Sequence, residues 1–215
     1  KKSDENWMNK YFSCSEKVKI DLFLRYGSIA AAGDRHLAEF CPGDWYLKDK
    51  ETVEKWGFAL TPVSWRKGDL EKRLERSEKL YSGEEKFELK ETGEEGVQQI
   101  RALLGLGDLV TNVNIPNYGQ IPNLPIGAVV ETNACFRANS LNPVFAGNIP
   151  QAIYPLISRV CGEQEQVVDC ALNRDLDGVF NAFAADPNMC ISVSDARKLF
   201  DEMVDNTKEY LKMYF

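Results

Sequence analysis

The segment Gly33-Asp34-Arg35-His36-x-x-Glu39 places four functional side chains within seven residues. A carboxylate at 34 is a candidate general base. A guanidinium at 35 can clamp a carboxylate or phosphate through two parallel hydrogen bonds. His36 and Glu39 are three apart and share a face if the segment is helical. His36 is the only histidine, so any nucleophile–histidine device must use it. The same residues also have a structural reading, with Asp34 capping a helix beside a local ion pair. A second cluster lies further on. Asn112, Asn114, Asn117, Gln120 and Asn123 are amides of the kind that read sugar hydroxyls. They are equally the residues that build turns.

Other chemistries are excluded or disfavoured. Gly105-Leu106-Gly107-Asp108 starts like a nucleotide-binding turn but lacks a third glycine. It follows a helical stretch and leads into a strand, the reverse of the required order. Six cysteines contain no C-x-x-C pair, and reduced, mostly buried thiols are expected. The net charge of −7 argues against nucleic acid as a partner, because phosphate binding requires a basic face. No run of about 18 apolar residues suggests a membrane span. No charged-then-apolar pattern reads as a secretory signal, so a cytoplasmic protein is expected.

The elements that must position these residues follow from periodicity. Residues 5–26 read as a helix ending at Gly27, carrying Trp7, Met8, Tyr11, Val18, Leu22 and Phe23 on a rough stripe. Residues 48–57 read as a short helix closing at Gly57. Residues 66–95 hold eight basic and ten acidic side chains, the pattern of a solvated helix or helical hairpin. Residues 94–105 predict a helix with Val97, Ile100, Leu103 and Leu104 as its apolar face. The period then shortens. Leu109–Ile115 and Ala128–Phe136 read as strands able to pair antiparallel, joined by a connector rich in proline and glycine. From Pro150 the pattern is helical again up to Asp186-Pro187. Ser192 and Asp195 mark the start of a last helix. Its stripe of Ala196, Leu199, Phe200, Met203, Val204, Thr207 and Leu211 predicts core. The order predicts an α+β fold with helices packed on one face of an antiparallel sheet.

Two of these stretches resemble one family. Ala31-Ala32-Gly33-Asp34-Arg35-His36-Leu37-Ala38-Glu39-Phe40 and the run from Val113 to Pro125, V-N-I-P-N-Y-G-Q-I-P-N-L-P, resemble the C-terminal part of glycoside hydrolase family 4. Gly127–Ala134, Gln164–Leu172 and Ala182–Pro187 extend the likeness over nearly the whole chain. The form A-G-D-R-H-L-A-E-F is most similar to the α-galacturonidase branch. The resemblance implies a fold like the C-terminal domain of lactate and malate dehydrogenases. It also implies NAD- and manganese-dependent cleavage of glycosidic bonds, the known exception to two-carboxylate hydrolysis. Sugar C3 is oxidised, the C2 proton becomes acidic and is removed, the glycosidic oxygen leaves, water adds and the ketone is reduced. By the same resemblance Asp34 is the C2 base, Arg35 and His36 meet the substrate carboxylate, and Asn114 and Asn117 lie near the sugar or the nicotinamide.

The resemblance also implies what is elsewhere. The dinucleotide-binding domain and the metal-holding Cys and His of the family lie upstream of the matching region. Residues 1–215 therefore read as a single C-terminal substrate and oligomerisation domain. Its partners would be a carbohydrate, an N-terminal Rossmann domain of the same protein and further copies of the chain. By this reading the isolated chain is inactive and no metal site lies within it. The alternatives are a non-catalytic sugar- or protein-binding module and the C-terminal half of a lactate- or malate-type dehydrogenase. The last needs a catalytic histidine with an acidic partner, which His36 and Glu39 match poorly.

Overall fold

The computed structural model describes residues 15–90 and 93–214. The expected apolar positions Trp7, Met8 and Tyr11, and Cys14, lie outside the described residues. Two compact units divide the chain: residues up to Pro62 together with those from Pro150 onward, and Val63–Ile149.

In the first unit, α1 (Lys17–Tyr26) ends on Gly27, whose φ of 70° is the left-handed conformation glycine adopts without strain. Short helices follow: α2 (Asp34–Glu39), α3 (Gly43–Tyr46) and α4 (Lys50–Trp56). Asp49 starts α4 by accepting the Thr52 N–H at 2.8 Å, and Gly57 ends it. Val18, Leu22, Ala38, Cys41, Tyr46, Val53 and Phe58 form the core between these helices. None of the four helices exceeds three turns, so packing rather than propensity holds them. Tyr46 is the pivot. Its ring meets Trp56 edge-on at 4.9 Å, and its hydroxyl donates to Asp21 at 2.5 Å while Arg25 donates to it. Burial, with the Asp21 hydrogen bond, raises the Tyr46 phenol well above its ordinary range.

The chain returns to this unit as α7 (Tyr154–Asn173), α8 (Leu176–Ala185) and α9 (Val193–Thr207). Two short 3-10 turns close the described residues, at Lys208–Tyr210 and Lys212–Tyr214. The helical pattern expected from Pro150 to Asp186 is broken once. Arg174 takes a left-handed φ of 60°, and Asp175 starts α8 by accepting the Gly178 N–H at 2.9 Å. Ser192 caps α9 as expected, accepting the Asp195 N–H at 3.1 Å. The α9 stripe is only partly core. Ala196 and Phe200 are buried, whereas Leu199 and Met203 are 41% and 49% exposed and line an open groove. The returning segment is tied to the first one: Gly43 donates to the Pro187 carbonyl at 3.1 Å, and the Asn188 amide donates to the Glu39 carbonyl.

The second unit begins with α5 (Val63–Ser82), which has no buried residue. The charge-rich segment is thus a solvated helix only as far as Ser82, laced by pairs such as Lys79–Glu75 at 2.7 Å, and residues 83–90 are not helical. Next come α6 (Gly96–Leu103) and a three-stranded antiparallel sheet of β1 (Leu109–Pro116), β2 (Val129–Arg137) and β3 (Ser140–Pro143), in the order β1-β2-β3. Thr111 pairs with Ala134 and Ile115 with Val130, so these positions share the inward face. The expected α+β class and the antiparallel pairing hold. Two details differ. The helix that packs on this sheet does so through Ala102, while Val97, Ile100, Leu103 and Leu104 are exposed, because close approach to the strands needs a small side chain. Helices α7 to α9 pair with one another in the first unit.

The core yields a labelling prediction. Desolvation pushes the Cys41 thiol up to about 11, and the residue is 3% exposed, whereas Cys190 is exposed. Iodoacetamide at pH 8 should therefore modify Cys190 and leave Cys41 intact until denaturant is added, as read by peptide mass spectrometry. Equal rates at the two sites would contradict the packing around Tyr46.

Candidate functional site

Asp34 is the first residue of α2, entered from Gly33 in extended conformation. Its side chain is fully buried. Oδ1 accepts the backbone N–H of Lys19 at 3.0 Å, and Oδ2 lies 3.4 Å from the Ser15 hydroxyl, which also reaches the Trp56 carbonyl at 2.7 Å. Lys19 is the third residue of α1, a helix whose own N-cap, Glu16, makes no side-chain capping bond. Asp34 thus performs the capping job that the sequence allows, but for α1 and not for the helix it opens. The negative charge also sits where the α1 dipole favours it.

Arg35 is half-buried and turned the other way. One terminal nitrogen, Nη1, donates to Thr61 Oγ1 at 2.6 Å; the other, Nη2, meets His36 Nε2 at 3.3 Å. His36 Nδ1 lies 3.3 Å from Glu39 Oε2. This chain of contacts is consistent with one protonation pattern. Nε2 must accept from the guanidinium, so Nδ1 carries the proton and donates to the Glu39 carboxylate. The imidazole is neutral in that pattern, and its tautomer is set by its two neighbours. Thr61 is a residue that spacing did not reveal; its only sequence sign is the proline that follows it.

In the second unit, the connector after β1 is a built loop. Asn117 is fully buried. Its amide nitrogen donates to the carbonyls of Ile121, Leu124 and Pro125 at 2.9 to 3.1 Å. Its oxygen accepts the N–H groups of Gly119 and Ile121, both at 3.1 Å. Gly119, at φ 109°, occupies a conformation closed to other residues without strain. Gln120 joins Tyr118 N–H to the Pro116 carbonyl, and Asn123 pairs with both backbone groups of Ile149 at 2.9 Å. Three of the five amides therefore hold the loop. Asn112 and Asn114 remain on the exposed face of β1, opposite Asn133 and Glu131.

The first unit also carries a groove of about 1120 Å³ between α7, α8 and α9, with Glu39 and Phe40 at its edge. Glu163 faces it, its carboxyl raised by burial and opposed by Arg159 at 3.2 Å. Among the described residues no group of three or more His, Cys, Asp and Glu side chains is arranged to hold a metal ion. Gly105 and Gly107 follow the last turn of α6, where the Gly105 N–H returns to the Ala102 carbonyl at 2.9 Å. No helix among the described residues is long and apolar enough to cross a membrane.

The fold, helices with a small three-stranded antiparallel sheet, matches the α+β C-terminal domains of glycosyl hydrolases. Within them it belongs to family 4: the Family 4 glycosyl hydrolase C-terminal domain matches residues 1–189. The α-galacturonidase of Thermoanaerobacterium saccharolyticum is 64% identical over 97% of this chain, and that of Thermoanaerobacter italicus 50% identical over 96%. The chain spans 45% and 46% of those two proteins, about half their length. The crystal structure of lplD from Bacillus subtilis superposes with a TM-score of 0.83 at 47% identity, covering 93% of this chain and 45% of that one. The 6-phospho-β-glucosidase of Thermotoga maritima, solved with manganese, NAD+ and glucose-6-phosphate, shares the fold at TM-score 0.60 and 22% identity, over 91% of this chain and 47% of its own.

Two substitutions test the positions of the asparagines. Asn117→Asp turns a donor facing three carbonyls into an acceptor, and should cost roughly 3 kcal/mol or more. Asn114→Thr on the exposed strand face, which adds no charge opposite Glu131, should change stability by no more than about 0.5 kcal/mol. Urea melts of the two variants give the comparison, and similar losses would contradict the loop described.

Proposed function

We propose that the chain is the substrate-binding and oligomer-forming part of an NAD- and manganese-dependent α-galacturonidase. The observation that carries this is its 64% identity, over 97% of its length, to an α-galacturonidase. The site supports it. Arg35 carries a full charge and has no carboxylate within ion-pair distance among the described residues, and a uronide supplies one. His36 stands beside it, Nε2 3.3 Å from the guanidinium and Nδ1 3.3 Å from the Glu39 carboxylate.

NAD and manganese, when bound, supply the hydride acceptor and the Lewis acid, and both are held mainly by the N-terminal part of the whole protein. This chain's residues then have separate tasks. Arg35 and His36 bind and orient the sugar acid. Asn114 presents its amide from the exposed face of β1 to a sugar hydroxyl. Asn117 acts by holding its loop. Asp34 is the proposed C2 base, and its burial gives it a second task, anchoring the first turn of α1. Oδ1 already accepts the Lys19 N–H, so removing the proton from C2 requires that Asp34 be released from, or share, that contact.

The test uses the protein as its gene encodes it, with an aryl α-galacturonide as substrate. Cleavage should require both NAD and manganese and should bring solvent deuterium to C2; the 215-residue chain alone should show none. Asp34→Asn keeps an acceptor oxygen for Lys19 and removes the base. It should fold normally, lose roughly 10²–10⁴-fold in kcat and lose deuterium incorporation. A folded Asp34→Asn enzyme with the wild-type rate would leave Asp34 as an anchor only. Cleavage without NAD would overturn the mechanism as a whole.

A further inference from the structure

We infer that Thr61 is a positioning residue that presets Arg35 for an anionic sugar, and so sets the preference for an acidic over a neutral substrate. The inference rests on the reading of Arg35 as the carboxylate-binding group. It starts from how this guanidinium is held. Among the described residues, several other arginines have a carboxylate partner: Arg25 has Asp21 at 2.9 Å, Arg137 has Asp108 at 3.0 Å and Arg197 has Asp177 and Asp201 at 2.9 Å. Such a partner orients the group and neutralises it. Arg35 is held by a hydroxyl and an imidazole nitrogen. Two neutral acceptors orient the fork and leave its charge in place. Of its five N–H groups, two have acceptors among the described residues, which leaves three for a ligand.

Thr61 is suited to this task for two independent reasons. It precedes Pro62, which is buried, and the residue before a proline is confined to extended backbone. It is also β-branched, which restricts χ1. Its hydroxyl is therefore placed by local sterics before any ligand arrives. An unrestrained arginine side chain carries about 2 kcal/mol of rotamer entropy, and the Thr61 contact removes part of that before binding.

The experiment measures kcat and KM on an aryl α-galacturonide in the full-length enzyme, and inhibition by free galacturonate and galactose. Thr61→Val keeps the shape and removes the acceptor. It should raise KM and the galacturonate inhibition constant roughly 10-fold while kcat and galactose inhibition stay within a factor of about three. Thr61→Ser should restore wild-type values. Arg35→Gln should raise KM further, and adding Thr61→Val to it should do nothing more, since the two act as one unit. Thr61→Ala serves if the valine variant melts early. A KM unchanged in Thr61→Val but raised in Arg35→Gln overturns the role of Thr61 and leaves the reading of Arg35 standing. A KM unchanged in Arg35→Gln overturns both. Equal losses in kcat and in galactose binding mean that Thr61 is only structural.

Discussion

The first turn of α1 has N–H groups to satisfy and no capping side chain of its own. A carboxylate fifteen residues further along accepts one of them. Much of the first unit depends on that contact. It buries Asp34, and with it the start of α2, against α1. A helix of six residues has almost no stability by itself. With its first residue anchored and the Glu39 carbonyl tied to Asn188, α2 can point its next two side chains only one way. Arg35 and His36 face outward because Asp34 faces inward. The chemistry of the outward pair follows from an electrostatic requirement of a neighbouring helix.

The same economy operates in the loop after β1, with amides in place of the carboxylate. Asn117 offers two donor hydrogens to three carbonyls and accepts two N–H groups, so the irregular loop between β1 and β2 keeps buried backbone groups satisfied. Such a loop is stiff for a reason located in one side chain. Rigidity of this kind lets a non-helical segment hold a ligand-facing shape at low entropic cost.

Much of this was readable in the residues, and the failures have physical causes. Strand alternation, the Gly27 and Gly57 helix ends and the Ser192 cap were legible because each is a contact between near neighbours. The break at Arg174 was not, since a left-handed residue without glycine leaves no mark. Asp34 was legible as a cap but not as the cap of another helix, because that depends on folding residues 19 and 34 together. Thr61 was silent for the same reason, lying 26 residues from the guanidinium it touches. The asparagines between 112 and 123 share one chemistry, and only burial sorts Asn117 from Asn114. The apolar stripe on α9 overstated the core, since periodicity cannot say whether a face is covered.

The returning segment at Pro187 and Asn188 imposes a schedule on synthesis. Residues 18–58 can gather around Tyr46 as soon as they leave the ribosome. The sheet of the second unit follows, its strands joined by neighbouring turns and quick to pair. The fastening of α2 comes last. Its partners emerge more than a hundred residues later, about ten seconds at ordinary translation rates. During that interval the Asp-Arg-His cluster exists on a helix held at one end only. The Asp-Arg-His cluster is thus fastened late, by residues that emerge well after it.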